Sequence, residues 1–433
     1  MLEASIMATT RRADGVLELG GVALTSIARD RRIGTPTYVY DLDAIVAEAR
    51  ELEAAFEGAP HLVAYAIKAN SAAPIVKALV GEGCGIDVVS GAELHLAMKC
   101  GVAPGNVLYS GVAKTDDELD LAIQAGPEGI GAIQIESVEE GARVAARAEA
   151  RGRVARVSIR LNPGVEADAL DTHSYIATGH DEAKFGVPVG SVGAALDVLL
   201  RSRSIAVVGV GAHVGSQLTT IDGYLASAKV VFDVAKEVAK RAPLAFVDTG
   251  GGFGIDYGDG CPVRPRDFIR ATLPAKKAAG LEALALYCEP GRSLVAAHAV
   301  LVSRVLQHKV APPRQWTMID AGMNDLMRPA LYQARHRIVA LEDAGEKPSA
   351  FRVVGPVCES SDDFGVHDLP AAAREVAILD GGAYGYSMAS RYNGRPLPAE
   401  AFLRGGHVVG YTPRAPLDAW VEDRLRAGRD LIE

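Results

Sequence analysis

Between about residues 60 and 295, short apolar runs alternate with longer amphipathic stretches. The runs are HLVAYAIKAN, CGIDVVS, NVLYSG, AIQIES, VARVSIRLN, IAVVGVGAHVGSQ, LAFVDTGGG and LALYCEPGR, eight in all. The stretches between them, such as SAAPIVKALVGEG and GAELHLAMKCGV, carry apolar residues at helical spacing. Strands joined by crossover helices imply a parallel sheet. Eight such units over this length predict a (β/α)8 barrel of the TIM type. The alternative is an open doubly wound sheet, but no GxGxxG turn follows the first strand.

After residue 300 the pattern changes. AVLVSRVLQHKV, QWTMIDAGM, FRVVGPVC, EVAILDGGAYG and HVVGYTP read as strands with little helix between them. They predict a second, mostly antiparallel β domain. GVLELGGVAL and TPTYVYDL near the start also read as strands and are expected to join it. The expected division is an N-terminal segment over 1–44 contributing to the β domain, a barrel over 45–298 and a C-terminal β domain over 299–433.

Composition narrows the class. A hydrophobic share of 49% with 23% charged residues suits a soluble protein with a large core. The formal net charge of -9, with no Lys/Arg-rich run, argues against a nucleic-acid partner. No apolar run reaches the ~18 residues of a membrane span, and MLEASIMATTRRADG lacks the apolar stretch of a secretory signal. The expectation is a cytoplasmic protein. Five cysteines, an odd number with no CxxC pair, argue against a disulfide framework or a zinc ribbon. No metal site is expected.

In a barrel, chemistry gathers at the C-terminal ends of the strands. Those ends carry Lys68, Asp87, Ser110, Glu136, Arg160 with Asn162, His213 with Ser216, the glycines at 250–252, and Glu289 with Arg292. Lys68 is either a lysine leaving the core for solvent or an amine in apolar surroundings suited to a Schiff base. DTGGGFGIDYG packs five glycines into one turn after the seventh run. It is either a tight turn or a cradle of backbone N–H groups for a phosphate. Glu289 is either half of a surface ion pair with Arg292 or a carboxylate that keeps a heterocyclic nitrogen protonated. His213 is a core histidine or a ring-contacting one. Asp87 and Glu93 read as a helix cap and a solvated helix acid, or as site residues. An amine, a glycine cradle, an acid for a ring nitrogen and a ring-contacting histidine on one barrel face together suit pyridoxal phosphate.

YAIKAN, DVVSGAEL, HVGSQ, DTGGGFG, CEPGRS, GPVCES and GAYGYSMAS occur in this order between residues 35 and 420. Together they resemble the diaminopimelate decarboxylases, fold type III pyridoxal-phosphate enzymes, with ornithine decarboxylases and alanine racemases as more distant relatives. The resemblance implies that Lys68 carries the cofactor as an internal aldimine, that Glu289 faces the pyridine nitrogen and that His213 stacks on the ring. It places Asp87, Ser216, Gly251, Gly252, Gly291, Arg292 and Tyr384 around the cofactor. Arg292, Arg328, Tyr332, Glu359 and Tyr384 would contact substrate, and Cys358 would donate a proton. It also implies a homodimer whose active sites each borrow the Cys358–Glu359 segment from the neighbouring subunit. Two departures fall in loops: the stretch between Pro163 and His173 is longer than the family pattern, and Ser361 and Asp362 stand where a shorter ESGD form is common.

GPVCESSDDFG admits three readings for its thiol: an inert core cysteine, a metal ligand or an acid. No partner cysteine or suitably spaced histidine supports the metal. A thiol beside Glu359 suits an acid better than a nucleophile, because the carboxylate disfavours the thiolate. Diaminopimelate offers a second amino-acid end, whose carboxylate suits Arg292 and Arg328 and whose ammonium suits Glu359. The expected reaction is decarboxylation of meso-diaminopimelate to L-lysine, the last step of lysine biosynthesis. The alternatives are decarboxylation of ornithine, lysine, arginine or carboxynorspermidine, a catalytically silent cofactor-binding homologue, and a phosphate-processing barrel without pyridoxal.

Overall fold

Each of the eight apolar runs becomes a strand of one closed parallel sheet. A computed structural model describes residues 9–164, 183–343 and 345–426. The longer stretch between Pro163 and His173 lies largely outside them. The chain divides into two units, described separately below.

The first unit takes Val46–Ile255 and Cys261–Leu294. Its barrel strands are β1 (His61–Ala66), β2 (Gly85–Val88), β3 (Val107–Tyr109), β4 (Ala132–Ile135), β5 (Ala155–Asn162), β6 (Ile205–Ala212), β7 (Phe246–Gly251) and β8 (Ala285–Glu289). Every neighbouring pair is parallel, and β8 pairs back onto β1, which closes the barrel and excludes the open sheet. The two-residue strand Val187–Pro188 adds to the end of β5.

Local sequence explains the turns into the helices. Ser90, Thr115 and Ser137 each accept a hydrogen bond from the backbone N–H of a glutamate three residues on, at the start of the helices Gly91–Lys99, Asp116–Gln124 and Val138–Ala150. This Ser/Thr-x-x-Glu pattern satisfies N–H groups that the first helical turn cannot. Barrel closure also depends on one absent side chain. A Cβ at Gly209 in β6 would lie 2.3 Å from the Phe246 ring. That ring stacks on Tyr287 at 4.1 Å and fills the interior beside Leu62, Ala64, Leu108 and Ala132.

The second unit takes the N-terminal 45 residues, Asp256–Gly260 and Val295 to the C-terminus. Its main sheet runs Asp363–Leu369, Ser349–Val354, Arg314–Ile319, Ala299–Ala311, Thr37–Asp41, Ala399–Arg404, His407–Thr412. Most pairs are antiparallel. Two are parallel: Arg314–Ile319 with Ser349–Val354, and Thr37–Asp41 with Ala399–Arg404. TPTYVYDL thus supplies a central strand, buried along its length. GVLELGGVAL does not enter that sheet. Leu17–Leu19 and Val22–Ala23 form a three-stranded antiparallel sheet with Thr9–Arg11. Its Leu17 and Leu19 still pack with Val39, Val300, Leu341 and Leu403 in one core.

Candidate active site

The barrel places its predicted residues on strand ends, in hydrogen-bonded contact with one another. Lys68 follows β1 in a single 3-10 turn, and its Nζ lies 2.7 Å from Asp87 Oδ2 at the end of β2. The other oxygen of Asp87 accepts from the Ser110 hydroxyl after β3. Asp87 is therefore no helix cap. Lys68 also does not sit in apolar surroundings: its amine faces a fully buried carboxylate. Burial raises the pKa of Asp87, and the nearby Lys68 charge opposes the rise. Glu93 does belong to a helix start, where its carboxylate accepts from Val89 N–H at 2.8 Å.

Glu289 ends β8 with 4% of its surface exposed. Its Oε1 accepts from Gln134 Nε2 at 2.6 Å, and its Oε2 lies 3.3 Å from His213 Nδ1. The same Nδ1 lies 3.2 Å from the Gly251 N–H. One ring nitrogen cannot accept from the second and donate to the first. A lone pair turned on a buried carboxylate would be repulsive, so Nδ1 carries the hydrogen and donates to Glu289. Burial alone would push the Glu289 pKa up. The His213 hydrogen bond and the charges of His213, Lys68 and Arg160 outweigh burial and hold it well below the usual carboxylate range.

Beside it lies a second buried acid. Asp248 accepts from Gly250 N–H at 2.8 Å and shares the Gln134 amide with Glu289, at 3.2 Å against 2.6 Å. Burial and the adjacent Glu289 push its pKa far up. Two carboxyls this close cannot both ionise in a buried site. The His213 hydrogen bond and the nearby cations favour charge on Glu289, and burial favours the proton on Asp248. Sequence reading passed over both Asp248 and Gln134: the first was absorbed into a glycine motif, and the second is an uncharged residue inside a strand.

Behind this pair lies a buried ionic frame. Arg160 Nη1 bonds Glu136 at 2.7 Å, and Arg160 Nη2 reaches the His213 carbonyl at 3.4 Å. Glu136 also accepts from Gly111 and Gly186 N–H. Lys114, 1% exposed, is held by two carbonyls and by Glu140 at 3.1 Å. Glu136, Arg160 and Lys114 thus fix the loops after β3, β4 and β5 rather than facing solvent.

The glycine turn serves backbone crowding first. A Cβ at Gly251 would lie 1.9 Å from the Glu289 carbonyl, and one at Gly252 (φ +88°) 2.2 Å from the Gly215 carbonyl. Gly291 brings β8 against Ala66 and Ala69 in the same way. Gly250 and Gly254 N–H groups donate to the Asp248 carboxylate and the Leu218 carbonyl. The N–H of Phe253 has no protein acceptor among the described residues. Nearby in the chain fold, Arg292 Nη2 donates to Ser216 Oγ at 2.8 Å. A lysine amine, a buried carboxylate, an Arg–Ser pair and the turn amide of Phe253 form a set that fits pyridoxal phosphate.

The remaining predicted residues belong to the second unit. Arg328 and Tyr332 occupy one turn of helix, Arg328–Tyr332. Arg328 Nη1 lies 2.6 Å from His336 Nε2, and its guanidinium sits 4.7 Å over the Tyr257 ring. Tyr384 takes a left-handed backbone, φ 56°. Cys358 is exposed in the single chain, unlike the buried Cys84, Cys100 and Cys288, which removes the inert-core reading. Its N–H donates to Asn393 Oδ1 at 2.9 Å, and the Glu359 carboxylate accepts from the Tyr392 hydroxyl.

Asp362 shapes the Cys358 loop. Its carboxylate accepts from Met323 N–H and Val357 N–H, both at 2.6 Å. Asp362→Ala is expected to cost about 1–3 kcal/mol through the N–H groups left unsatisfied. It should lower the thermal midpoint and speed amide exchange at Met323 and Val357. Undiminished protection at both would refute the role.

Residues 42–296 match the family described as "Pyridoxal-dependent decarboxylase, pyridoxal binding domain". A diaminopimelate decarboxylase of Pseudomonas aeruginosa is 38% identical over 403 residues, 92% of this chain and 94% of its own. The crystal structure of diaminopimelate decarboxylase from Helicobacter pylori complexed with L-lysine superposes with a TM-score of 0.84 at 35% identity, covering 91% of this chain and 97% of that one. The enzyme from M. jannaschii in co-complex with L-lysine gives 0.88 at 33% identity, over 96% and 97%. The chain belongs to the diaminopimelate decarboxylase family and is a pyridoxal-phosphate-dependent decarboxylase.

Proposed function

We propose that the protein decarboxylates meso-diaminopimelate to L-lysine. The observation that carries this reading is the cluster on one strand-end face, with Lys68 Nζ 2.7 Å from Asp87 and the buried Glu289 bonded by Gln134 at 2.6 Å and facing His213 Nδ1 at 3.3 Å. Bound pyridoxal phosphate supplies an electron sink for the carbanion left when CO2 departs. Lys68 would provide the amine that holds it. Glu289 would keep the ring nitrogen protonated, and His213, 3.3 Å from Glu289, would steady that carboxylate and contact the ring. Arg292, Ser216 and the turn at Gly251 and Gly252 would hold the phosphate, and Tyr384 would contribute to its binding. Arg328 reads the distal carboxylate, Tyr332 and Glu359 take the rest of the distal end, and Cys358 returns a proton to carbon.

Charge supports the choice of substrate. A lysine or ornithine reacting at its own α-carboxylate has no distal one to offer Arg328. CO2 release should be fastest from meso-diaminopimelate in a panel with ornithine, lysine and arginine. Faster release from any of these three would reject the assignment.

Cys358 is proposed to serve the Lys68 of a second subunit in a homodimer. Inactive Lys68→Ala and Cys358→Ala proteins, mixed and allowed to exchange subunits, should regain part of the activity. No recovery despite demonstrated exchange would reject a shared site.

A further inference from the structure

We propose that His336 is a positioning residue for substrate selection, acting by fixing the orientation of Arg328. The inference rests on the reading that Arg328 binds the distal carboxylate.

Both side chains are buried, Arg328 at 6% exposure and His336 at 3%. Local structure brings them together. Arg328 opens a single-turn helix that ends at Gln333, whose left-handed backbone (φ 54°) turns the chain back. His336, eight residues on, thereby returns against the guanidinium. Its Nδ1 lies 2.8 Å from the Leu379 carbonyl, and its Nε2 lies 2.6 Å from Arg328 Nη1.

These two contacts leave one assignment of hydrogens. A carbonyl only accepts, so Nδ1 carries the hydrogen. A guanidinium only donates, so Nε2 offers a lone pair. His336 is therefore the neutral Nδ1–H tautomer, since a doubly protonated ring would set N–H against N–H. Tyr257 completes the frame, with its ring under the guanidinium at 4.7 Å and edge-to-face with His336 at 5.2 Å.

The chemistry of the holder matters. Arg337, one residue after His336, bonds the Asp380 carboxylate at 2.7 Å. A carboxylate orients a guanidinium and cancels its charge together. A neutral imidazole orients it without adding a negative charge. Leu379, which fixes the imidazole, directly follows the strand Glu375–Ile378 and stands five residues before Tyr384. The Arg328 fork is thus referenced to a sheet strand rather than to its own short helix.

Two substitutions divide the imidazole into its halves. Asn places its amide near the Nδ1 position and keeps the Leu379 bond, but stops short of Arg328. Gln reaches the Nε2 position. His336→Asn is expected to raise KM for meso-diaminopimelate, and the inhibition constant of L-lysine, about 10- to 100-fold, the scale of a lost hydrogen bond to a charged group. Turnover and cofactor affinity should stay within about threefold. His336→Gln should recover most of the loss. His336→Asn added to Arg328→Ala should cost nothing beyond Arg328→Ala alone. If Arg328→Ala raises KM while His336→Asn does not, the proposal is wrong and the Arg328 reading stands. If Arg328→Ala leaves KM unchanged, the Arg328 reading itself fails. Parallel losses of turnover and cofactor affinity in His336→Asn would mark a structural role and overturn the proposal.

Discussion

Lys68→Ala protein is expected to lose decarboxylation on the order of 10^4-fold or more, the scale seen when an enzyme's nucleophile is removed. It should also form no borohydride-stable cofactor adduct. The amine stands 2.7 Å from Asp87, whose second oxygen is held by Ser110. That pairing aims the nitrogen along one line and allows it little freedom. Alanine deletes the nucleophile and leaves Asp87 buried with its counter-charge gone, a costly state for a carboxylate. The loss should therefore exceed that from Asp87→Asn, which keeps the amine. Mass mapping of the reduced adduct gives a second readout. An adduct on another lysine, or more than a tenth of the activity surviving in Lys68→Ala, would sink the assignment.

The second large effect separates two acids that a sequence cannot tell apart. Glu289→Gln should reduce turnover about 10^2–10^3-fold, the range for removing one preorganised electrostatic contact. Asp248→Asn should cost no more than about tenfold. Both changes delete a carboxyl group from the same buried spot. They differ because Glu289 is held ionised by His213 and the cations near it, while burial and Glu289 keep Asp248 protonated. Asn resembles the neutral acid it replaces and can still accept from Gly250 N–H. Gln removes the one charge that the cofactor nitrogen would meet. Equal losses in the two variants, or the reverse order, would show that the proton sits elsewhere in the pair.

The barrel was legible because strands buried on both faces leave an apolar run, and all eight runs form strands in the expected order. The β unit was legible only where its strands alternate. Ala399–Arg404 escaped because AEAFLR has helical propensity, and burial in a central position overrides it. Glu400 reads as solvated, yet it is buried and accepts from Tyr40, with its pKa pushed up to about 7 by burial. Asp363–Leu369 escaped because Asp363, Gly365 and Asp368 interrupt its pattern. In the site, residues with charge at a strand end were visible: Lys68, Asp87, His213, Glu289 and Arg292. Residues that act on other residues were not. Gln134, Asp248, His336 and Asp362 matter through one or two hydrogen bonds each, and composition and spacing carry no trace of those partners.

The central strand Thr37–Asp41 also bears on how the molecule is made. It pairs with residues near 300 on one side and near 400 on the other, Tyr40 lying opposite Phe402. The two are 362 positions apart. At about 5–20 residues per second, Tyr40 waits roughly 20 to 70 s for that partner during synthesis. The barrel segments, by contrast, each pair with strands already made, until β8 returns to β1. The nascent chain therefore carries an apolar strand with both edges bare while the barrel forms downstream of it. Such an edge is a template for pairing with another chain. Aggregation of chains truncated before residue 399 is the expected cost of placing the first strand of a sheet beside one of its last.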